Sequence, residues 1–281
     1  MSNYSIFNKK LSKTDLLTLM NIHYQCFYFW HASCNILSKQ KKERMTMKKY
    51  EYSILPEYAP LYPKLPYRYE EYEKVSVYCR GDKEKMQRLL PKEFTVTDDV
   101  FEVFLLRNNK IEGLDNYNEG GLIIPCSYKD INGACMSFEY VDTDDALCAG
   151  REIWGYPKKI GEIEFNVDGG KVSGSVSRKG KKIIDVTFEE TGEAFEQPNL
   201  FPRLQVKRFP HVEHEGTHLN TILKNEFYDA VTKKQVTGKA TLNWEESLDD
   251  PLASLGDVEV VGAIYFVGGY TLSYGKVIDE L

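Results

Sequence analysis

From Tyr67 to the C-terminus, apolar and polar positions alternate far more often than they recur at helical spacing. The stretch 74–80 puts Val75, Val77 and Cys79 on one face, as a half-buried strand requires. Similar runs lie at 100–107, 122–128, 134–141, 159–167, 171–178 and 181–189, with further strands predicted at 203–208, 220–228, 236–245 and 257–274. Asp168-Gly169-Gly170 and Lys179-Gly180 supply hairpin-like turns. One short helix is predicted over 82–90: Asp82 suits an N-cap, Met86, Leu89 and Leu90 make an apolar face, and Pro91 ends it. Prolines 56, 60, 63 and 66 make 53–67 an extended lead-in. Helical periods between strands are scarce, which argues against a doubly wound parallel sheet. The expected fold is mainly β (α+β), an antiparallel β-barrel or paired sheets with a few short helices.

The N-terminal stretch reads differently. Residues 16–38 carry no charged side chain, but Asn21, His23, Gln25, His31 and Asn35 interrupt them, and the longest apolar block runs only from Cys26 to Trp30. A spanning helix wants about 20 predominantly apolar residues and a signal peptide a cleaner core, so neither a membrane nor an export role is expected. Residues 1–46 hold seven lysines and arginines against Asp15 and Glu43, a net charge of +5 that leaves −11 for the remainder. Met45 and Met47 precede an ordinary-looking N-terminus, Lys48-Lys49-Tyr50-Glu51-Tyr52. The expected organisation is therefore a leader over 1–46, outside the fold, and a single domain over 47–281.

Composition narrows the function classes. The chain is 42% hydrophobic and 28% charged, ordinary for a soluble globular protein, and its 19 Tyr and 14 Phe suit a strand-rich core. A formal net charge of −6, with no basic patch interleaved with aromatics, argues against a nucleic-acid partner. The cysteines at 26, 34, 79, 126, 135 and 148 form no C-x-x-C pair. They fit neither a disulfide framework nor a zinc ribbon, and the expected compartment is a reducing cytoplasm. Gly169-Gly170-Lys171 lacks the spacing of a phosphate-binding loop. His211, His214 and His218 could line a helix face and hold zinc, but Pro210 and Gly216 interrupt any helix there, so an exposed loop is the favoured reading. Neither a metal nor an organic cofactor is expected.

The candidate chemistry lies in Gly150-Arg151-Glu152-Ile153-Trp154-Gly155-Tyr156-Pro157-Lys158-Lys159. A free lysine has a pKa near ~10.4, and burial can depress it by up to about 3–5 units. The neutral amine can then attack a ketone. Lys159 could act as a second cation. In an extended segment, however, neighbouring side chains point to opposite faces, so burial rather than Lys159 is expected to set the pKa of Lys158. Pro157 fixes its own φ and Gly155 permits a close backbone approach. The same residues could also form a solvated Pro-Lys-Lys turn.

That motif resembles the lysine motif of the acetoacetate decarboxylase family. Tyr67 to Tyr69, Arg80, Pro91, Tyr117-x-Glu119-x-Gly121 and Pro125 fall in the same register, and Pro198-Asn199 and Thr237-Gly238 extend it less tightly. The resemblance runs from about residue 50 to the end and has no counterpart for 1–46. It implies that Lys158 is a Schiff-base lysine with Lys159 as its neighbour and Tyr156 in support. It also implies that Glu119 transfers a proton or orients the adduct, from an Asn118-Glu119-Gly120-Gly121 segment that reads as a flexible turn. A small β-keto acid substrate and a homo-oligomer come with it. Two positions depart from the family: a pocket arginine and an upstream glutamate match Tyr72 and Phe104 here. Glu102 shares a strand face with Phe104 and is a candidate substitute, whereas Arg68 could replace the arginine only along a different chain path. The reading is a decarboxylase of acetoacetate or a related β-keto acid. Another lysine-dependent aldolase or dehydratase is the alternative, and a non-catalytic ligand- or metal-binding β-barrel the different-class one.

Overall fold

Where the sequence alternates, the chain forms strands, and most are longer than the pattern alone predicts. The computed structural model describes residue 55 and residues 59–281. The chain divides into two units, Met1–Pro60 and Leu61–Leu281, and every strand and helix among the described residues belongs to the second. The leader over 1–46, the uncharged run 16–38 and much of the proline-rich lead-in lie outside the described residues. No helix among the described residues is long and apolar enough to cross a membrane.

The elements run β1 (Tyr67–Arg80), α1 (Lys83–Arg88), β2 (Thr95–Val96), β3 (Val100–Glu112), β4 (Tyr117–Tyr128), β5 (Ile131–Val141), α2 (Asp144–Trp154) and β6 (Lys158–Ile160). Then come β7 (Glu162–Asp168), β8 (Lys171–Arg178), β9 (Lys181–Glu190), β10 (Arg203–Pro210), β11 (Thr217–Asn225), β12 (Phe227–Asn243), a 3-10 turn (Leu252–Leu255), β13 (Glu259–Leu272) and β14 (Lys276–Glu280). All strands join one open sheet in the order β14-β11-β10-β5-β4-β3-β1-β13-β12-β9-β8-β7, with β2 added to β4 and β6 to β5. The pairing is antiparallel except where β5 meets β6 and, at a single bridge, β10. The mainly β expectation holds, and hydrogen bonding joins the strands into a single sheet.

Period-two alternation gives that sheet two different faces. Val75, Val77, Phe101, Val103, Leu105, Leu122 and Ile124 belong to one apolar cluster. Residues of the opposite parity, Tyr72, Tyr78, Phe104, Leu106 and Ile123, belong to a second, aromatic-rich cluster. The polar residues Lys74, Ser76, Glu102, Glu119 and Glu139 share the parity of this second face, so the alternation that builds the core also gathers charge on one side of the sheet.

The predicted short helix is α1, and the Asp82 side chain accepts from the N–H groups of Glu84 and Lys85 at 2.8 and 3.1 Å. Besides the short β2 and the 3-10 turn, α2 and β14 escaped the pattern. α2 buries Asp145, Ala146, Ala149, Gly150 and Trp154, and with four of the five small or polar no run of large apolar side chains stands out. β14 is a short edge strand, paired with β11. The predicted strand 159–167 divides at Gly161, with β6 on β5 and β7 on β8.

Asp250 ties several of these strands together. It is fully buried and accepts from the Tyr140 hydroxyl at 3.1 Å and from Lys159 Nζ at 2.6 Å, with Arg178 Nε at 3.2 Å. Tyr140, Lys159 and Arg178 lie on β5, β6 and β8. Removing one partner of a buried ion pair costs about 3–5 kcal/mol. Since Lys159 and Arg178 are 33% and 24% exposed, the low end applies. Asp250→Ala is expected to lower stability by about 3 kcal/mol in a denaturant titration; an unchanged midpoint would contradict this.

Candidate active site

The ten-residue lysine motif is the end of α2, a reversal and β6. Gly155 adopts the left-handed region at φ 72°, its N–H bonds the Arg151 carbonyl at 3.2 Å, and the Tyr156 N–H bonds the Gly150 carbonyl at 3.1 Å. This pairing ends a helix and sends the chain out at a fixed angle. A Cβ on Gly155 would also lie 2.8 Å from Lys207 Cα, so glycine is required for space as well as for φ. Beyond Pro157 the chain is extended, and β6 runs parallel to β5 with Lys158 opposite Glu139 and Lys159 opposite Tyr140.

The two lysines therefore diverge, as alternation predicts. Lys159 turns to Asp250. Lys158 turns to the aromatic face, where it is 6% exposed. Its Nζ donates to Glu119 Oε2 at 2.8 Å, lies 3.5 Å from Glu139 Oε1 and 5.2 Å from the Tyr117 ring centroid. The Tyr117 and Tyr69 hydroxyls are 3.2 Å apart beside it.

Glu119 does not sit in a flexible turn. It lies within β4, opposite Leu106 of β3 and Val141 of β5. The glycines next to it in sequence are there for close packing. A Cβ on Gly121 would come within 2.3 Å of the Phe138 carbonyl oxygen, and one on Gly120 within 2.6 Å of Leu105 and Val176.

The electrostatics also depart from the expectation that burial sets the pKa of Lys158. Burial does push its ammonium down, but the Glu119 carboxyl, in hydrogen-bond contact, leads the neighbours that push harder the other way, and Lys158 stands above the usual lysine range. Glu139 is driven well above the carboxylate range by its burial and then by the charge of Glu119. Its Oε2 has no hydrogen-bond partner. At rest Lys158 holds its proton as an ammonium, and Glu139 holds its proton as a neutral acid. Burial also pushes the Tyr69 hydroxyl up to about 12, against the opposing pull of Lys158.

One cavity adjoins this triad, and a second shares two lining residues with the first. The chamber over Lys158 holds about 40 Å³, close to the ~30 Å³ share of one water in the liquid. Glu119, Glu139, Tyr69, Tyr117 and Tyr156 line it with Lys158. The neighbouring cavity is about 410 Å³, within the ~300–1,000 Å³ range of ligand pockets. Phe227 and Tyr270 line both.

Of the residues the sequence singled out, Lys158, Glu119 and Tyr156 come together in the small chamber, and Lys159 does not. Tyr72 and Glu102 line the large cavity instead. Glu102 pairs there with Lys74 and accepts from Ser76 at 2.6 Å. Burial would raise its carboxyl, but the Lys74 and Arg203 cations hold it low. Phe104 is buried beneath Lys74, whose Nζ lies 4.9 Å from the ring centroid. Arg68 is exposed and paired with Glu112, away from both cavities. The rings of His211 and His214 stack at 3.8 Å in the exposed turn between β10 and β11, and no metal-holding group of His, Cys, Asp or Glu occurs among the described residues. Sequence reasoning missed Glu139, although a lone acid in the apolar run 134–141 was a readable signal. It also missed Lys74 and Arg203.

A family model described as acetoacetate decarboxylase (ADC) matches residues 55–281. Acetoacetate decarboxylase 1 of Mesorhizobium japonicum is 28% identical over 237 residues, covering 80% of this chain and 93% of that protein. The crystal structure of acetoacetate decarboxylase from Legionella pneumophila superposes with a TM-score of 0.74 at 23% identity, over 82% of this chain and 94% of that one. The enduracididine biosynthesis enzyme MppR, in its complex with pyruvate, superposes with a TM-score of 0.70 at 18% identity, over 83% and 98%. At these identities the two structures show a shared fold.

The geometry of the triad has two measurable consequences. A Cβ on Gly150 would lie 2.5 and 2.6 Å from Lys158 Cδ and Cε, and a flexible side chain yields more readily than a helix. Gly150→Ala is thus expected to fold with its melting temperature nearly unchanged, alanine being the better helix former by about 1 kcal/mol, while displacing Lys158 and lowering amine reactivity at least tenfold. Wild-type reactivity in Gly150→Ala would contradict the packing. As for Glu139, the folded protein keeps a proton that an unfolded glutamic acid releases near pH ~4.3, so stability should fall as pH rises above that value. Glu139→Gln removes this loss. It should be more stable than the parent at pH 7 by thermal melts, with the gap closing towards pH 4; a gap independent of pH would contradict the assignment.

Proposed function

The chain belongs to the acetoacetate decarboxylase family, and on that premise we propose that it is a carbon–carbon lyase that decarboxylates acetoacetate or a related β-keto acid through a Schiff base on Lys158. The observation that carries the proposal is the burial of one lysine nitrogen between Glu119 and Glu139. Lys158 rests as an ammonium, so its proton must leave before it can attack. Glu119, in hydrogen-bond contact at 2.8 Å, is the group placed to accept it as the substrate ketone enters.

The free amine adds to the ketone carbon, Glu119 returns its proton to the hydroxyl that leaves as water, and a protonated imine and the Glu119 carboxylate remain. That cation carries the same single charge at the same nitrogen as the resting ammonium, so the Glu119 carboxylate can stabilise it. The bond to the substrate carboxylate then breaks, its electron pair enters the iminium, and CO2 departs to leave an enamine. Glu139, which holds a proton and has a free oxygen, is placed to protonate the enamine carbon. Hydrolysis of the iminium so formed releases the ketone and restores the Lys158 ammonium, and a proton from solvent restores the Glu139 acid. Lys159 stays outside these steps, held by Asp250.

The second reading is an aldol or dehydration reaction through the same iminium. It is favoured by Tyr72 and Phe104, which stand where the family resemblance calls for charged groups. A cytoplasmic homo-oligomer belongs to the same proposal, supported by the family resemblance and by the free thiols of Cys79, Cys126, Cys135 and Cys148.

Borohydride reduction in the presence of acetoacetate, followed by peptide mapping, tests the proposal. The expected product is a reduced adduct on Lys158, absent in Lys158→Ala and retained in Lys159→Ala, with acetone and CO2 formed in the unreduced reaction. An adduct on Lys74 instead, or none, would contradict the assignment of Lys158; an adduct without CO2 would move the reaction to the aldol and dehydratase branch.

A further inference from the structure

The larger cavity contains charge that the Lys158 chemistry does not use. Arg203, at the start of β10, is 3% exposed and lines this cavity. One of its amino groups donates to the Leu200 carbonyl, and the guanidinium stacks on Phe201 at 4.3 Å. Its Nε has no partner, and no carboxylate among the described residues lies within ion-pairing distance. Arg107 and Arg178 also have an unbonded Nε, but each stands beside a carboxylate, Glu73 or Asp250. Glu102, the one carboxylate in the same wall, is already taken by Lys74 and Ser76. The cavity wall thus carries two cations and one anion.

A buried guanidinium without a counter-ion is costly, and a carboxylate is the group its planar fork accepts best. We propose that Arg203, with Lys74, binds a second, non-reacting carboxylate of the substrate, so that the acid this chain acts on is a β-keto dicarboxylate longer than acetoacetate. The proposal rests on the Schiff-base reading of Lys158 for which end of the molecule reacts.

Size and position support it. The Lys158 chamber has room for a few atoms only, whereas the 410 Å³ cavity beside it would stay unfilled by a four-carbon acid. Phe227 and Tyr270 form the shared wall, and burial raises the hydroxyl of Tyr156 with Arg203 and Lys158 both opposing, so the two cations act on one ring. In the proposed binding mode the substrate chain passes Phe227 and Tyr270, the residues that line both cavities, between Lys158 and Arg203. The reacting carboxylate is not the group held there, because it must lose its charge as CO2 forms, and a cation gripping it would stabilise the ground state over the transition state.

Binding of adipate and hexanoate, matched in length and differing by one carboxylate, tests this by calorimetry on the wild-type protein. Adipate is expected to bind at least about tenfold tighter (about 1.4 kcal/mol), and Arg203→Gln should abolish the difference, with Arg203→Lys intermediate. In turnover, β-ketoadipate should exceed β-ketohexanoate in kcat/KM by a similar factor. Equal affinity of the wild-type protein for adipate and hexanoate would overturn the inference, and needs no variant to fold. Adipate selectivity together with no borohydride adduct on Lys158 would uphold the anion site and overturn the Schiff-base reading instead.

Discussion

The site depends on one buried interaction, an ammonium held between two carboxyls out of reach of water. Moving a charge into a protein interior costs several kcal/mol, and geometry must recover that cost. Here the recovery comes from register. Lys158 opposite Glu139, and Glu119 opposite Val141, put all three side chains on the same sheet face. A slip of one residue in β6 would exchange Lys158 for Lys159 and leave two acids buried without a cation. The parallel β5–β6 pairing, the left-handed Gly155 and the small face of α2 at Gly150 are all parts of fixing that register.

The same interaction gives the two adjacent lysines opposite roles. Lys159 makes a structural link to Asp250 on the far face, while Lys158 lines the small chamber. It also changes the chemical problem. A lysine desolvated in an apolar pocket would rest as a free amine, whereas one between carboxyls rests protonated and needs an acceptor at the moment of reaction. In the proposed mechanism the acceptor and the later proton donor are different acids, separated because burial and then the neighbouring Glu119 charge hold Glu139 above the carboxylate range.

Much of the sheet was legible in the sequence because alternation at period two is imposed by burial on one face at a time. The Asp82 cap and the divergence of Lys158 and Lys159 arise from equally local rules. What escaped notice depends on long-range packing. The glycines after Glu119 suggested a turn, and only the approach of Phe138 and Leu105 from neighbouring strands explains them as a tight fit within β4. The helix α2 was hidden because its buried stripe is mostly alanine and glycine, with Trp154 its one large apolar member. Burial of Lys158 was predicted, but the sign of its shift was not, since that required knowing that Glu119 lies within β4 and in hydrogen-bond contact with it. Arg203 carries no local signature at all; its lack of a partner exists only in the folded chain.

The protonation state that this burial imposes can be observed at the nitrogen itself. In substrate-free protein carrying nitrogen-15 lysine, with Lys158→Ala to assign the signal, the Lys158 Nζ resonance should stay at the ammonium position from neutral pH to beyond the ordinary lysine value of about 10.4. A Lys158 nitrogen that titrates to the free amine below pH ~8 would contradict the account, and would return the control of this lysine to desolvation alone.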